Sequence, residues 1–234
     1  MNALVVLPTY NEAPNIQAIV SDLEESVPGC GVLVVDDNSP DGTGGLVRSM
    51  MSPGRKLSIL ERPCKQGLGA AYLAGFQHVL ARAQADVVVQ MDADGSHDPG
   101  AVTTLIQALA SADLALGSRY VTGGAVEGWP WLRKALSAVG NSYARLWLSR
   151  EIADWTGGFK AWRTDCLRGI DLSQVRSDGY AFQVELTARA LGAGFQVAEV
   201  PITFRNRTRG KSKMTPAVAA EAVRIVPSLR RYVR

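Results

Sequence analysis

The chain has 234 residues, 47% of them hydrophobic, with 25 Lys or Arg against 22 Asp or Glu. That is enough for one large domain or two small ones with a real core, and it excludes a low-complexity chain. Three scattered cysteines without a CxxC pair, and two histidines without paired spacing, exclude a disulfide frame and speak against zinc.

Short β-branched runs alternate with helical patterns along the first half. Ala3–Leu7, Val32–Val35, Leu57–Leu60, Val87–Met91 and Leu114–Leu116 read as strands. Pro14–Ser26, Gly42–Met51, Leu68–Arg82 and Pro99–Ala110 read as the helices between them, with Pro14 and Pro99 at first helical positions. Continuous apolar strands alternating with helices predict an α/β fold with a mostly parallel central sheet and helices on both faces. Past Tyr120 the texture changes. VTGGAVEGWP is a glycine-rich loop, Trp131–Leu148 an amphipathic helix, and DWTGGFKAWR a loop with a short strand. Phe182–Leu191 reads as a helix, Val197–Phe204 as a strand, and RNRTRGKSK as a basic loop. Pro216–Val233 is a final helix, interrupted or bent near Pro227. No linker or repeat is evident. The expectation is one domain over 1–234: a nucleotide half to about residue 120, a second half over about 121–214 that builds the rest of the pocket, and a basic C-terminal helix over 215–234.

The N-terminus MNALVVLPTY has no basic leader and too short an apolar run for a signal peptide. No segment approaches the roughly 20 apolar residues of a spanning helix. The expected state is reduced, cytoplasmic, and soluble or peripheral. The net charge of +3 is uneven: 205–234 carry nine Lys or Arg and one acid, hence +8, leaving 3 − 8 = −5 for the rest. A basic tail points to an anionic partner or to a solvated helix face. Nucleic acid is not expected, because aromatic residues do not interleave with the basic ones.

Polar residues gather after the strands: PTYNEAPN, DDNSPDGT, DADGSHDP and GSRY. In open α/β sheets ligands sit beyond the carboxyl ends of the strands. Two like charges at a buried strand end need compensation. Asp92 and Asp94, one residue apart, can reach one point, and a hard cation, Mg2+ or Mn2+, would satisfy both. The plain alternative is a capped loop, with Asp98 capping the helix begun by Pro99. Asp36 and Asp37 end the second strand, where carboxylates commonly bind a ribose or base, whereas Asp41-Gly42 fits a turn and cap. GxGxxG and Walker motifs are absent, so a dinucleotide cofactor is not expected. Arg119, Arg133, Arg207 and Lys213 lie in loops or at a helix start and together suit a pyrophosphate facing a second anion.

The ordered series LPTYNE, DDNSPDGT, KQGLGAAY, MDADGSHDP, GSRY, GGAVEGW, TGGFKAWR, GYAFQVE, EVPITF and RGKSKM resembles the dolichol- or polyprenol-phosphate mannosyltransferases, family-2 glycosyltransferases with a GT-A (Rossmann-like) fold. The resemblance runs from about Leu7 to Met214. It implies a guanine-nucleotide pocket lined by Pro8, Tyr10, Glu12, Val35 and Asp37. It implies that Asp92, Ala93 and Asp94 hold the ribose–pyrophosphate region, with Asp92, Asp94 and Ser96 on the metal. Arg119, Arg207 and Lys213 would clamp phosphates and, with the two aspartates, carry the reaction. Arg133, with Arg119 and Arg207, would meet the acceptor phosphate. The chain departs from the family at Gly95, where relatives often carry a bulky apolar residue, and at Gly158, where many have Ser.

The implied reaction is inverting transfer of mannose from GDP-mannose to a polyprenyl monophosphate at the cytoplasmic membrane face, the chain being held by its basic final helix or by a membrane-anchoring protein partner. With Val218, Val223, Ile225, Val226 and Leu229, that helix either lies on anionic lipid or packs on the domain. Two alternatives stay open here: a polyprenyl-phosphate glucosyltransferase using UDP-glucose, and a non-catalytic subunit on the same fold.

Overall fold

In the computed structural model, residues 2–83, 85–177, 179–206 and 223–233 are described. The expected Arg207 and Lys213, and residues 215–222 of the final helix, lie outside them. The elements run β1 (Ala3–Thr9), α1 (Ala13–Ser26), β2 (Gly31–Asp36), α2 (Thr43–Met50), β3 (Leu57–Glu61), α3 (Leu68–Arg82), β4 (Val87–Gln90), α4 (Ala101–Ala108) and β5 (Leu114–Ser118). The second half adds β6 (Ala125–Val126), α5 (Trp131–Trp147), β7 (Lys160–Arg163), α6 (Thr164–Gly169), α7 (Gly179–Gly192), β8 (Val197–Pro201), β9 (Thr203–Phe204) and a final 3-10 turn over Val226–Arg231.

Seven strands form the main sheet in the order β3-β2-β1-β4-β7-β5-β8. Every pairing is parallel except those of β7, which runs antiparallel to both β4 and β5. The short β6 and β9 pair separately, so the run read as one strand from Val197 to Phe204 is split between two sheets. The break falls at Ile202, whose N–H donates to the Ser118 carbonyl and whose carbonyl accepts from Ala125.

Alternation of side chains along each strand divides the core. Val5, Leu7, Val32, Val34, Val87 and Val89 face α1, α2 and α4. Val6, Leu33, Val35 and Val88 face α3, α6 and α7. Both faces are covered, which explains why these strands read as unbroken apolar runs. The α3 helix lies so close to the sheet that a Cβ at Gly75 would come within 2.5 Å of Val6 Cγ1 and 3.1 Å of Val35 Cγ2. Cys30, Cys64 and Cys166 are free thiols.

The final segment takes the packed course of the two open to it. Val226 and Leu229 are buried against Ala144, Trp155 and Ala188. The Tyr143 hydroxyl donates to the Val223 carbonyl at 2.9 Å, and the Arg189 guanidinium lies 4.6 Å from the Tyr232 ring centre. The apolar side that the sequence offered to lipid is used up in packing at Val226 and Leu229. Ile225 is half-buried, Val223 is exposed, and Val218 lies outside the described residues. Pro227 does interrupt the helix, since a 3-10 turn begins at Val226. No helix among the described residues is long and apolar enough to cross a membrane.

Candidate functional site

The loops after β1 and β2 are tied to one another. Asp36 accepts from Thr9 Oγ1 at 2.8 Å, from Ser39 Oγ at 2.6 Å and from the Ser39 amide at 2.9 Å. Asp41 accepts from the amides of Ala13 and Thr43 and from Thr43 Oγ1. Thr43 Oγ1 in turn accepts from the Glu12 amide. Asp36 and Asp41 are therefore loop locks, as a turn-and-cap reading of Asp41 requires. They bring Tyr10, Glu12 and Asp37 to one edge. Asp37 is buried and pairs with Arg62 at 2.5 Å. Burial raises its carboxyl above the usual range, and the Arg62 charge opposes that rise. Lys65 Nζ stands 4.1 Å from the Tyr10 ring centre. Pro8 and Glu12 are buried at the same edge, and Glu12 accepts from Asn15 Nδ2. The Val35 side chain packs in the α3-side core, so only its backbone is left for a ligand at this edge.

The carboxylates after β4 are held individually. Asp92 Oδ1 accepts from the Tyr72 hydroxyl at 2.7 Å. Burial and then the Asp92 charge hold that phenol well above its ordinary range, so it stays a donor. The Asp92 amide donates to His97 Nδ1 at 3.0 Å, which places the imidazole proton on Nε2. His97 stacks on Phe159 at 4.7 Å and meets Phe204 edge-on at 5.4 Å. Asp94 is 5% exposed and accepts from the Ser96 amide at 3.0 Å. Ala93 turns its methyl into the core. Ser96 Oγ is buried and finds no partner among the described residues. Two carboxylates and an orphaned hydroxyl on one loop are a donor set that a hard divalent cation accepts. No group of three or more His, Cys, Asp or Glu gathers among the described residues, so part of the shell would have to come from ligand phosphates and water.

A cavity of about 260 Å³ opens beside Asp92 and runs to the second half of the chain. Lys65, Arg119 and Arg133 line it. Arg119 is not held as a loose phosphate clamp would be. Its Nε and Nη2 donate to Asp154 at 2.7 Å each, Nη2 also reaches Thr156 Oγ1, and its own amide donates to Asp154 at 3.0 Å. Both side chains are almost fully buried, at 4% and 0% exposure. The fork is spent on Asp154, which fixes the Arg119 charge at the cavity wall. Arg133 lies over the Trp129 ring at 4.0 Å and donates to Asn206 Oδ1.

The structure thus brings Asp92, Arg119 and Arg133 to one cavity and places Asp37, Tyr10 and Glu12 at the neighbouring edge. Sequence reasoning missed Lys65, His97, Trp129, Asp154 and Gln183. Lys65 and Asp154 sit inside the quoted KQGLG and DWTGG runs, so the runs pointed to the region without assigning the residues. Lys160 was also missed. It is fully buried on β7, and burial pushes its ammonium down to about 7, with Asp154 pulling the other way.

The model of glycosyl transferase family 2 matches residues 4–170. The chain is 49% identical over 222 residues to the polyprenol monophosphomannose synthase of Mycolicibacterium smegmatis, covering 94% of this chain and 83% of that protein. It is 45% identical over 223 residues to the undecaprenyl-phosphate mannosyltransferase of Micrococcus luteus, covering 95% and 91%. It is 35% identical to the dolichol-phosphate mannosyltransferase of Pyrococcus furiosus, covering 99% of this chain but 64% of that one. Among solved structures, glucosyl-3-phosphoglycerate synthase from Mycobacterium tuberculosis, in complex with Mn2+, uridine diphosphate and glucosyl-3-phosphoglycerate, superposes with a TM-score of 0.70. It is 20% identical, and the match covers 99% of this chain and 80% of that one, which establishes the shared fold. The chain belongs to glycosyl transferase family 2 and groups there with the polyprenyl-phosphate mannosyltransferases.

Proposed function

We propose that the chain transfers mannose from GDP-mannose to a polyprenyl monophosphate, with inversion, giving a β-linked polyprenyl mannosyl phosphate. The carrying observation is the cavity in which Asp92, at the head of the carboxylate loop, shares the lining with the cations Lys65, Arg119 and Arg133. The names of the relatives supply the acceptor class.

The edge built by Pro8, Tyr10, Glu12 and Asp37 takes the nucleoside. Asp37, already paired with Arg62, is placed to accept from a base or ribose. Asp92 and Asp94, with Ser96 Oγ, would hold Mg2+ or Mn2+, which supplies charge stabilisation for the departing diphosphate. A phosphate monoester brings about −1.5 to −2 charges near neutral pH. Its oxygen is already a nucleophile, so the protein needs no strong base. What it must supply is positive charge between two anions, and we assign that to Arg133 and Arg119, which line the same cavity. Arg207 and Lys213 are proposed to add to it.

The lipid would arrive along α5. This helix carries Arg133, Lys134 and Arg145 and no acid. Leu132, Leu136, Val139 and Leu146 are exposed on it at helical spacing, and its first residue, Trp131, is 78% exposed. An apolar stripe flanked by basic residues, starting at the cavity mouth, suits peripheral contact with an anionic membrane surface. A membrane-anchoring protein partner would reinforce that contact.

The test is transfer of labelled sugar to a short polyprenyl phosphate from GDP-mannose and, in parallel, from UDP-glucose, with Mg2+ or Mn2+ and with chelator. Lipid product from GDP-mannose alone, lost in chelator, is expected. Product from UDP-glucose alone would overturn the donor assignment, and metal-independent product would remove the cation.

A further inference from the structure

Behind the cavity wall lies a buried polar chain that the proposed chemistry does not use. Gln90 is fully buried at the end of β4, Lys160 is fully buried on β7, and Gln183 on α7 is 3% exposed. Trp162 Nε1 donates to Gln90 Oε1 at 3.3 Å. Gln90 Nε2 donates to Gln183 Oε1 at 2.6 Å. Lys160 Nζ reaches the same Oε1 at 3.2 Å and the Gln183 carbonyl at 2.7 Å.

The direction of this chain is forced. An indole N–H can only donate, so the Gln90 atom facing Trp162 must be its oxygen. The Gln90 amide nitrogen then points to Gln183, whose facing atom must likewise be oxygen. The remaining Gln183 group, Nε2, is left at the cavity with two N–H donors, and it meets no acceptor among the described residues. Its surroundings are also fixed. A Cβ on Gly158 would lie 3.3 Å from Gln183 Nε2 and 3.9 Å from Asp92 Oδ2. The missing side chain at 158 therefore keeps the carboxamide open to the cavity, next to the carboxylate.

We infer that Gln183 binds the transferred sugar, its Nε2 donating to a hydroxyl oxygen of the hexose beside Asp92. The inference rests on the proposed sugar-nucleotide reading of the cavity. A donor of fixed polarity beside an acceptor carboxylate suits a sugar, whose hydroxyls both give and accept hydrogen bonds. A cation in place of the amide would attract the neighbouring diphosphate instead. Trp162, Gln90 and Lys160 act as positioning residues, since they fix the amide from outside the cavity.

The experiment compares wild type with Gln183→Ala and Gln183→Glu. Each is assayed for GDP binding, for kcat and KM with GDP-mannose, and for KM of the polyprenyl phosphate. Gln183→Glu keeps an oxygen for Gln90 and Lys160, replacing the donor with a charged acceptor, so it carries the test if the alanine variant fails to fold. The expected result is a loss of about tenfold in kcat/KM for GDP-mannose in both variants. GDP, which lacks the sugar, should bind Gln183→Ala within about twofold of wild type, and the acceptor KM should hold in both. GDP affinity falling in step with turnover in Gln183→Ala would make the residue a brace of the cavity and overturn the inference. A rise confined to the acceptor KM would move the contact to the lipid phosphate, and wild-type turnover in both variants would remove Gln183 from the site. A wild-type chain inert towards GDP-mannose would instead overturn the proposed donor, and the same comparison would then be made with whichever nucleotide sugar it uses.

Discussion

Replacing Asp154 with Ala isolates the contact that holds Arg119 at the cavity wall. Asp154 accepts the Arg119 amide, Nε and Nη2, and both side chains are nearly inaccessible. Removing the carboxylate leaves a buried guanidinium without its counter-ion, ringed by Tyr120, Trp129 and Phe204 at 5.4 to 5.6 Å. Breaking one side of such a buried pair costs about 3–5 kcal/mol, because the surviving charge loses its bidentate counter-ion in a poorly solvated site. Against a total stability of about 5–15 kcal/mol that is a large share. For a chain of this size each kcal/mol lowers the melting temperature by about 2–4 °C, so a fall of about 6–20 °C is expected. Urea and thermal unfolding of Asp154→Ala beside Asp154→Leu/Arg119→Met would measure it. The double variant, which removes both charges, should recover most of the loss. A single-variant loss below about 1 kcal/mol would refute the reasoning, since it is the value of a solvated surface pair.

Asp94→Ala should lower metal-dependent transfer by more than about a hundredfold with an unchanged far-ultraviolet spectrum, because it removes one of two carboxylates at the proposed cation; full activity at added Mg2+ would take Asp94 out of the site. Lys160 gives up its proton near pH 7 in the folded chain and near 10.4 when unfolded, so between those values the unfolded chain binds more protons and stability rises with pH. The stability of wild type relative to Lys160→Met should therefore climb by up to about 1.4 kcal/mol per pH unit from pH 7 upwards, and a flat difference in urea titrations would contradict the buried ammonium. Leu136→Asp/Val139→Asp on α5 should weaken binding to anionic vesicles more than tenfold, at about 2 kcal/mol per buried side chain, while leaving turnover of a short, soluble acceptor intact. Unchanged vesicle binding would move the membrane contact elsewhere.

The α/β layout was legible because each strand of the first half is an apolar run whose alternate residues enter opposite halves of the core, as Val5 and Val6 do. The acidic loop after β4 was legible for a similar reason: polar residues that interrupt such a run need a compensating ligand or a cap. Other features depend on contacts that no local pattern encodes. The sequence offered Asp36 and Asp37 together to a ribose or base, yet the fold locks Asp36 to Thr9 and Ser39 and pairs Asp37 with Arg62. It offered Arg119 as a phosphate clamp, and the fold commits that fork to Asp154, 35 positions away. It left the basic final helix open to lipid or to packing, and the fold buries Val226 and Leu229 while leaving the stripe on α5 exposed.

What the sequence determined by itself was local and periodic: strand runs, helix starts, the glycine-rich connections and the order of motifs that places the chain in its family. These follow from backbone propensity and from alternation, which act over a few residues. The tertiary structure alone decided which charges are spent on one another and which face a ligand. Ion pairing and burial depend on which distant segments meet, as Gln90 and Gln183 do across 93 positions. The polarity of that amide chain, and the donor it leaves in the cavity, exist only once β4, β7 and α7 are packed together.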